Sequence, residues 1–328
     1  MQRSVFITIA ASLLFTGCSS GGGDGAGPVL PPDLTVSITS NNAMEVARVS
    51  WAIALESGEF GDLSGAGLII GGTSGGVSKL DGAIAVSAKS NSGESQVPIP
   101  AETTACNVSG DVTVSGQIAD PVTPTLTAGD FFEIDYNNCD DDLGNVIDGL
   151  MRMDIDAFNG DFLSEMFDMT VTLTLNTFQI TTNEDAITSH GDVTATIDTI
   201  NLPSLFTGIS GNSMMINTNS SSEALTNFAS SLNVDGTRQP ALYARSSSGT
   251  LDSTQLAGAI RYSTPVTFEG FGNDFPNSGE FLVEGIRSSL RLIAVNNIDV
   301  RIELDSDGDG NVDETILTTW AELTAQGT

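Results

Sequence analysis

The apolar and polar residues of this chain change period near residue 105. Beyond it, "VSGDVTVSGQI", "DFFEIDYNN", "GLMRMDIDAF", "FDMTVTLTLNTFQITT", "GDVTATIDTI", "SMMINTN", "LAGAIRYSTPVTFEG", "GEFLVEGI", "LRLIAVNN" and "DVRIELD" alternate or bunch apolar residues over strand lengths. The connections are too short for helical crossovers, so neighbouring strands should pair antiparallel in a meander. Upstream, "DLTVSITS" predicts one more strand. "NNAMEVARVSWAIALESG", residues 41–58, reads as a helix started by Asn41 or Asn42 and ended by Gly58. Met44, Val46, Ala47, Val49, Ala52, Ile53 and Leu55 cover more than half of its circumference, which predicts burial. A weaker helix is expected over residues 78–90, where Gly82 costs about 1 kcal/mol relative to alanine. The fold class that follows is mainly β: a long antiparallel meander, closing as a half-barrel or a sandwich, with one or two N-terminal helices. Glycine-led echoes such as "SGDVTVSG", "HGDVTATI" and "SGEFLVEG" have no fixed period, so no solenoid or propeller is implied.

Charge narrows the partners. Among 328 residues, 42 are acidic and 11 basic, a formal charge of -31, while 40% are hydrophobic. That apolar fraction is too high for a disordered acidic chain. The acidity disfavours nucleic acid and anionic surfaces, which need a positive patch to displace counterions.

The first residues carry an address. Arg3 begins a positive segment, Val5 to Phe15 form a short apolar run, and Thr16 and Gly17 are small. The run is too short to span a bilayer and reads as a signal peptide over residues 1–17. Leu14, Phe15, Thr16, Gly17 and Cys18 resemble the lipobox of bacterial lipoproteins, with Phe15 where leucine is most usual. The resemblance implies that Cys18 is acylated and becomes the new N-terminus, and Ser19 after it implies the outer membrane. Cleavage would remove Arg3 and no acidic residue, so the processed chain is more negative still. Residues 18–32, "CSSGGGDGAGPVLPP", then read as a tether, 33–104 as an N-terminal strand and helical segment, and 105–328 as the β domain. Anchoring to a membrane by lipid is the expected partnership.

With Cys18 assigned to lipid, Cys106 and Cys139 remain, an even pair in an oxidising compartment. A disulfide stapling neighbouring strands is expected, with two free thiols or a redox pair as the alternative. Asp305, Asp307 and Asp309 stand at alternate positions in "DSDGDGNVDE", where Gly308 and Gly310 permit a tight turn. Calcium wants six to eight oxygens, and this spacing fits the first half of an EF-hand loop. The second half departs from it: Ile316 stands where a bidentate glutamate belongs, so Asp313 or Glu314 would have to complete the shell. The alternative is a solvated acidic hairpin. "CDDDLGN", residues 139–145, reads as a solvated turn, because consecutive side chains point apart.

Catalytic signals are sparse. His190 is the single histidine, expected at a turn in "TSHGD", and no strand-to-helix elbow marks a nucleophile, since the glycine-rich "GGTSGG" reads as a loop. Two Trp and three Tyr give few sugar platforms, and the glycine runs lack the Lys and helix of a phosphate loop. The function expected is non-enzymatic, a binding or structural module of the cell envelope, with hydrolase the remotest alternative. A carrier of a lipid or other hydrophobic ligand is the second reading, because "MMI" at 214–216 and "DFLSEMFDM" at 161–169 could line a cavity. A membrane-embedded barrel fits the strand number but not the thin aromatic girdles or the acids in "DFFEIDYNN" and "DVRIELD".

Taken together the motifs resemble an uncharacterised group of proteobacterial outer-membrane lipoproteins. They are the lipobox, Asn42 and Ala43 before a helix, Cys106 and Cys139 around a "SGDVTVSG" strand, Asp305 to Gly310, and Thr319 to Leu323. The resemblance implies no activity.

Overall fold

The computed structural model describes residues 33–63, 97–118, 126–140, 145–161, 166–182 and 186–325. Helix α1 spans Ala43–Leu63. The strands are β1 Val97–Ala105, β2 Asp111–Ile118, β3 Phe131–Asp140, β4 Val146–Asp161, β5 Met166–Thr181, β6 Ala186–Asp198 and β7 Ser204–Asn217. They continue as β8 Ser222–Asp235, β9 Leu242–Ser253, β10 Gly258–Phe271, β11 Ser278–Gly285, β12 Ser288–Ala294, β13 Asp299–Asp305 and β14 Glu314–Thr319, before helix α2 at Trp320–Thr324. All fourteen lie in one sheet in strict sequence order, antiparallel throughout, and β14 does not pair with β1. The mainly β meander is therefore found as an open, curled single sheet, not as a two-sheet sandwich. The predicted second helix at 78–90 lies outside the described residues.

One face of the sheet is apolar and curls over α1. On β5, Phe167, Met169, Val171, Leu173 and Leu175 are buried, while Asp168, Thr170, Thr172, Thr174 and Asn176 face outward. On β6, Val193, Ala195 and Ile197 are buried between outward Asp192, Thr194, Thr196 and Asp198. Apolar inside and polar outside is the reverse of a membrane barrel's pattern. No helix among the described residues is long and apolar enough to cross a membrane.

The curl has a local cause. Register slips recur between Tyr136 and Cys139 on β3, Leu175 and Phe178 on β5, Asp192 and Thr194 on β6, Thr226 and Ala229 on β8, and Ser263 and Phe268 on β10. Asn138, Thr177 and Asn227 take left-handed backbone at these points. Gly149 has φ 105°, and a Cβ there would strike the carbonyl oxygen of Thr177 on the adjoining strand. Each bulge bends its strand and increases the twist; bulges aligned across successive strands crease the sheet. His190 sits beside this crease inside β6, opposite Met215, and not at the turn expected for it.

The segment predicted as the strand "DLTVSITS" forms no ladder. Thr35 N–H donates to Ala259 O (3.0 Å), Ile286 N–H to Val36 O (2.7 Å), and Ile38 N–H to Ser288 Oγ (2.8 Å). It thus crosses the ends of several strands, with Val36 and Ile38 buried, and follows no single edge. Asn42 stands at the start of α1, but its side-chain oxygen turns back to accept from Thr39 N–H (2.8 Å). The helix runs past Gly58 to Leu63, because one glycine costs only ~1 kcal/mol and does not by itself stop a helix. Between residues 43 and 54, Glu45 alone is exposed. Trp51 packs on Phe268 and Trp320 (both 4.9 Å between centroids) and on Phe281 (5.7 Å).

The closing "TTWAEL" forms a plug. Thr319 accepts from Glu322 N–H while the Glu322 carboxylate accepts from Thr319 N–H, a capping box. Trp320 is fully buried, and its Nε1–H donates to Asn296 O (3.1 Å) and Pro276 O (3.2 Å).

Candidate functional site

Strict antiparallel order puts every hairpin leading from an odd to an even strand at one end of the sheet. Thr35 and Val36 bond to the β9–β10 and β11–β12 turns, so the chain arrives at this same end, here termed proximal. α2 and the Pro276 and Asn296 turns lie at the other, distal end. Both the cysteine pair and the acidic loop are proximal.

Cys106 and Cys139 form a disulfide with Cα atoms 5.5 Å apart. It joins the end of β1 to β3, which flank β2, so it spans a strand and does not staple pairing neighbours. The β1–β2 tip folds back onto β3: Val108 N–H donates to Asp140 O (3.4 Å) and Asp140 N–H to Ser109 O (2.9 Å). Gly110, at φ 76°, makes that approach possible, since a Cβ would overlap the carbonyl oxygens of Asn137 and Asn138. Asp140 belongs to β3; Asp141 and Asp142, and the lipidation candidate Cys18, lie outside the described residues.

The acidic loop joins β13 to β14. Asp305 Oδ1 accepts from Gly308 N–H (2.7 Å) and its Oδ2 from Gly310 N–H (3.0 Å). Asp307 accepts from Asp309 N–H (3.1 Å). Asp313 accepts from both Ser306 N–H (2.8 Å) and Ser306 Oγ (2.6 Å), bonds that hold its carboxyl below the usual aspartate range. Asp305, Asp307 and Asp313 each offer an oxygen within 4.8 Å of the others. Asp309 is instead turned to Asn311, accepting from its N–H (2.7 Å) and its Nδ2 (2.9 Å). Glu314 begins β14 opposite Leu304 and stands outside the triad. Of the five residues expected at this site, three converge. A hard cation could take one oxygen from each and fill its shell with water or carbonyls. The same carboxylates also satisfy the turn's own N–H groups, so the acidic spacing shapes the hairpin even without metal.

Elsewhere among the described residues most arginines are ion-paired, while the many other acids stay in excess. Arg152 bonds Asp154 (2.6 Å) and Glu133 (3.3 Å) and lies 4.0 Å over the Phe131 ring. Arg238, Arg261, Arg291 and Arg301 pair with Asp235, Glu284, Glu280 and Glu303. These exposed pairs contribute little stability, but they leave few free cations for an anionic partner.

Sequence reasoning missed two buried acids, Asp130, which accepts from Thr127 N–H (2.7 Å), and Glu223. Glu223 is 3% exposed, with neither carboxylate oxygen in a hydrogen bond of good geometry. Burial raises its pKa, as does Asp252 close by, against the downward pull of the Ser253 and Ser221 hydroxyls. In "SSSEALT" it reads as part of a polar turn, and only the strand register turns it inward.

The candidate lining of a ligand cavity is divided between faces. Met214 and Ile216 are buried and Met215 is 46% exposed; Phe167 and Met169 are buried and Met166 faces outward. A shallow hollow, partly open to solvent, lies among Trp51, Ala54, Arg245, Ser246, Ser247, Thr264 and Phe268, with room for about one water molecule and none for a drug-sized ligand. Comparison with family models, curated proteins and solved structures gave no match.

Proposed function

We propose that this protein is a lipid-anchored, non-enzymatic module of the bacterial cell envelope, held to the outer membrane through acylated Cys18 and stabilised by calcium at Asp305, Asp307 and Asp313. The observation that carries the reading is the sheet's polarity. Its inward face is filled by α1 and one continuous apolar core, and its outward strand positions on β5 and β6 are polar. A sheet of that polarity stays in water, so attachment to a membrane falls to a covalent anchor, which the lipobox supplies. The disulfide supports export, because such bonds persist in oxidising compartments.

A carrier would need interior room, whereas Met151, Met153, Met169 and Met214 are all part of the packed core. A hydrolase would need an assembled nucleophile and base, whereas His190 is exposed on a strand opposite Met215. The test is cell fractionation of the full chain with its own leader. The wild type should sediment with membranes and a Cys18→Ser variant should not; membrane retention of that variant would overturn the proposal.

A further inference from the structure

We propose that the proximal end of the sheet is a bilayer-facing surface, so that the protein stands on the membrane with α2 pointing away. The inference rests on the acylation of Cys18. Its own observation is where the described chain begins: Thr35 and Val36 are tied to Ala259 and Ile286 at the proximal turns. Ala259 N–H in turn donates to Thr35 Oγ1 (2.8 Å), so the attachment point is fixed to the body.

Reach then decides orientation. From residue 18 to residue 33 the chain spans at most roughly 50 Å, at 3.3–3.6 Å per residue. The sheet is nearly as tall, since β7 alone has 14 residues, roughly 45 Å of strand. With the distal end on the membrane, residue 33 would stand that far above it and the linking residues would have to be drawn almost straight. With the proximal end down, no extension is required.

The surface so oriented carries one exposed apolar side chain on each of three hairpin tips. These are Val108 at β1–β2 (59% exposed), Ile286 at β11–β12 (48%) and Val312 at β13–β14 (52%). Exposed apolar residues also occur distally, Ile298 and Leu202 among them, so the point of attachment and not hydrophobicity selects the end. Asp305, Asp307, Asp309 and Asp313 make the proximal surface acidic and suit it to zwitterionic headgroups better than to bare anionic ones.

The experiment uses the chain from Cys18 onward, with a synthetic lipid coupled to Cys18 and the disulfide intact, on phosphatidylcholine vesicles containing an acceptor dye. A donor dye is attached through an azide-bearing amino acid at Ser220 or at Asn201, which follow and precede β7 at opposite ends of the sheet. Energy transfer from position 220 should exceed that from position 201 at least twofold. Equal transfer, or the reverse order, would overturn the proposal. Because the lipid is attached chemically, this outcome is independent of natural acylation, which the mass of the processed protein reads separately.

Discussion

Replacing Glu223 by glutamine removes a charge from a carboxyl group that is 3% exposed on the inward face of β8. Both oxygens lack hydrogen bonds of good geometry, and burial raises the pKa. An acid whose pKa is raised by folding binds its proton more tightly in the native state. It therefore costs nothing below the ordinary glutamate range, and the cost grows as pH rises through that range, complete above the folded pKa. Leaving such a group unsatisfied costs about 1–3 kcal/mol. Glu223→Gln, similar in shape but uncharged, should recover a comparable amount at pH 7 and almost nothing at pH 4. For a domain of this size that is a rise in Tm of about 2–4 °C per kcal/mol. Calorimetric melts of both proteins at the two pH values read the difference. A variant less stable than wild type at pH 7, or an equal gain at both pH values, would refute the reasoning.

Calcium added at 1 mM to EDTA-treated protein should raise Tm; a Kd near 0.1 mM, typical of extracellular sites, contributes about 1.4 kcal/mol. Asp307→Ala and Asp313→Ala should abolish the rise and Asp309→Ala should keep it, because Asp309 stands outside the triad; a melt series with and without calcium checks this. Replacing both Cys106 and Cys139 by serine opens a loop with a sequence separation of 33 and should cost about 3–4 kcal/mol in urea unfolding. Trp320→Ala, emptying a fully buried site against Trp51 and Phe268, should cost about 3–5 kcal/mol by the same assay.

The meander was legible where alternation is unbroken, as in β13 and in β5 from Phe167 to Leu175. It was illegible where a bulge shifts the parity. On β8, Leu225 and Phe228 both point inward three residues apart, across left-handed Asn227, so period-two reading finds no strand there. β9 was missed for another reason: serines and threonine occupy the places where apolar residues would show the alternation. β1 was hidden by Pro98 and Pro100, which an edge strand tolerates and which otherwise argue against a strand. Gly149, Gly191 and Gly211 look like strand boundaries, yet β4, β6 and β7 run through them, because a glycine inside a strand also marks a bulge. At the acidic loop the residue types were readable but the directions were not. Whether Asp309 meets a cation or Asn311 depends on the turn's hydrogen bonds, which spacing alone leaves open.

The proposed attachment, a covalent lipid at Cys18 that holds the sheet at the envelope, is read in the mass of the mature N-terminal peptide. Protein produced in a bacterium with its own leader should begin at Cys18 and carry the added mass of acyl chains. An N-terminal peptide that begins elsewhere, or begins at Cys18 with no added mass, would contradict it.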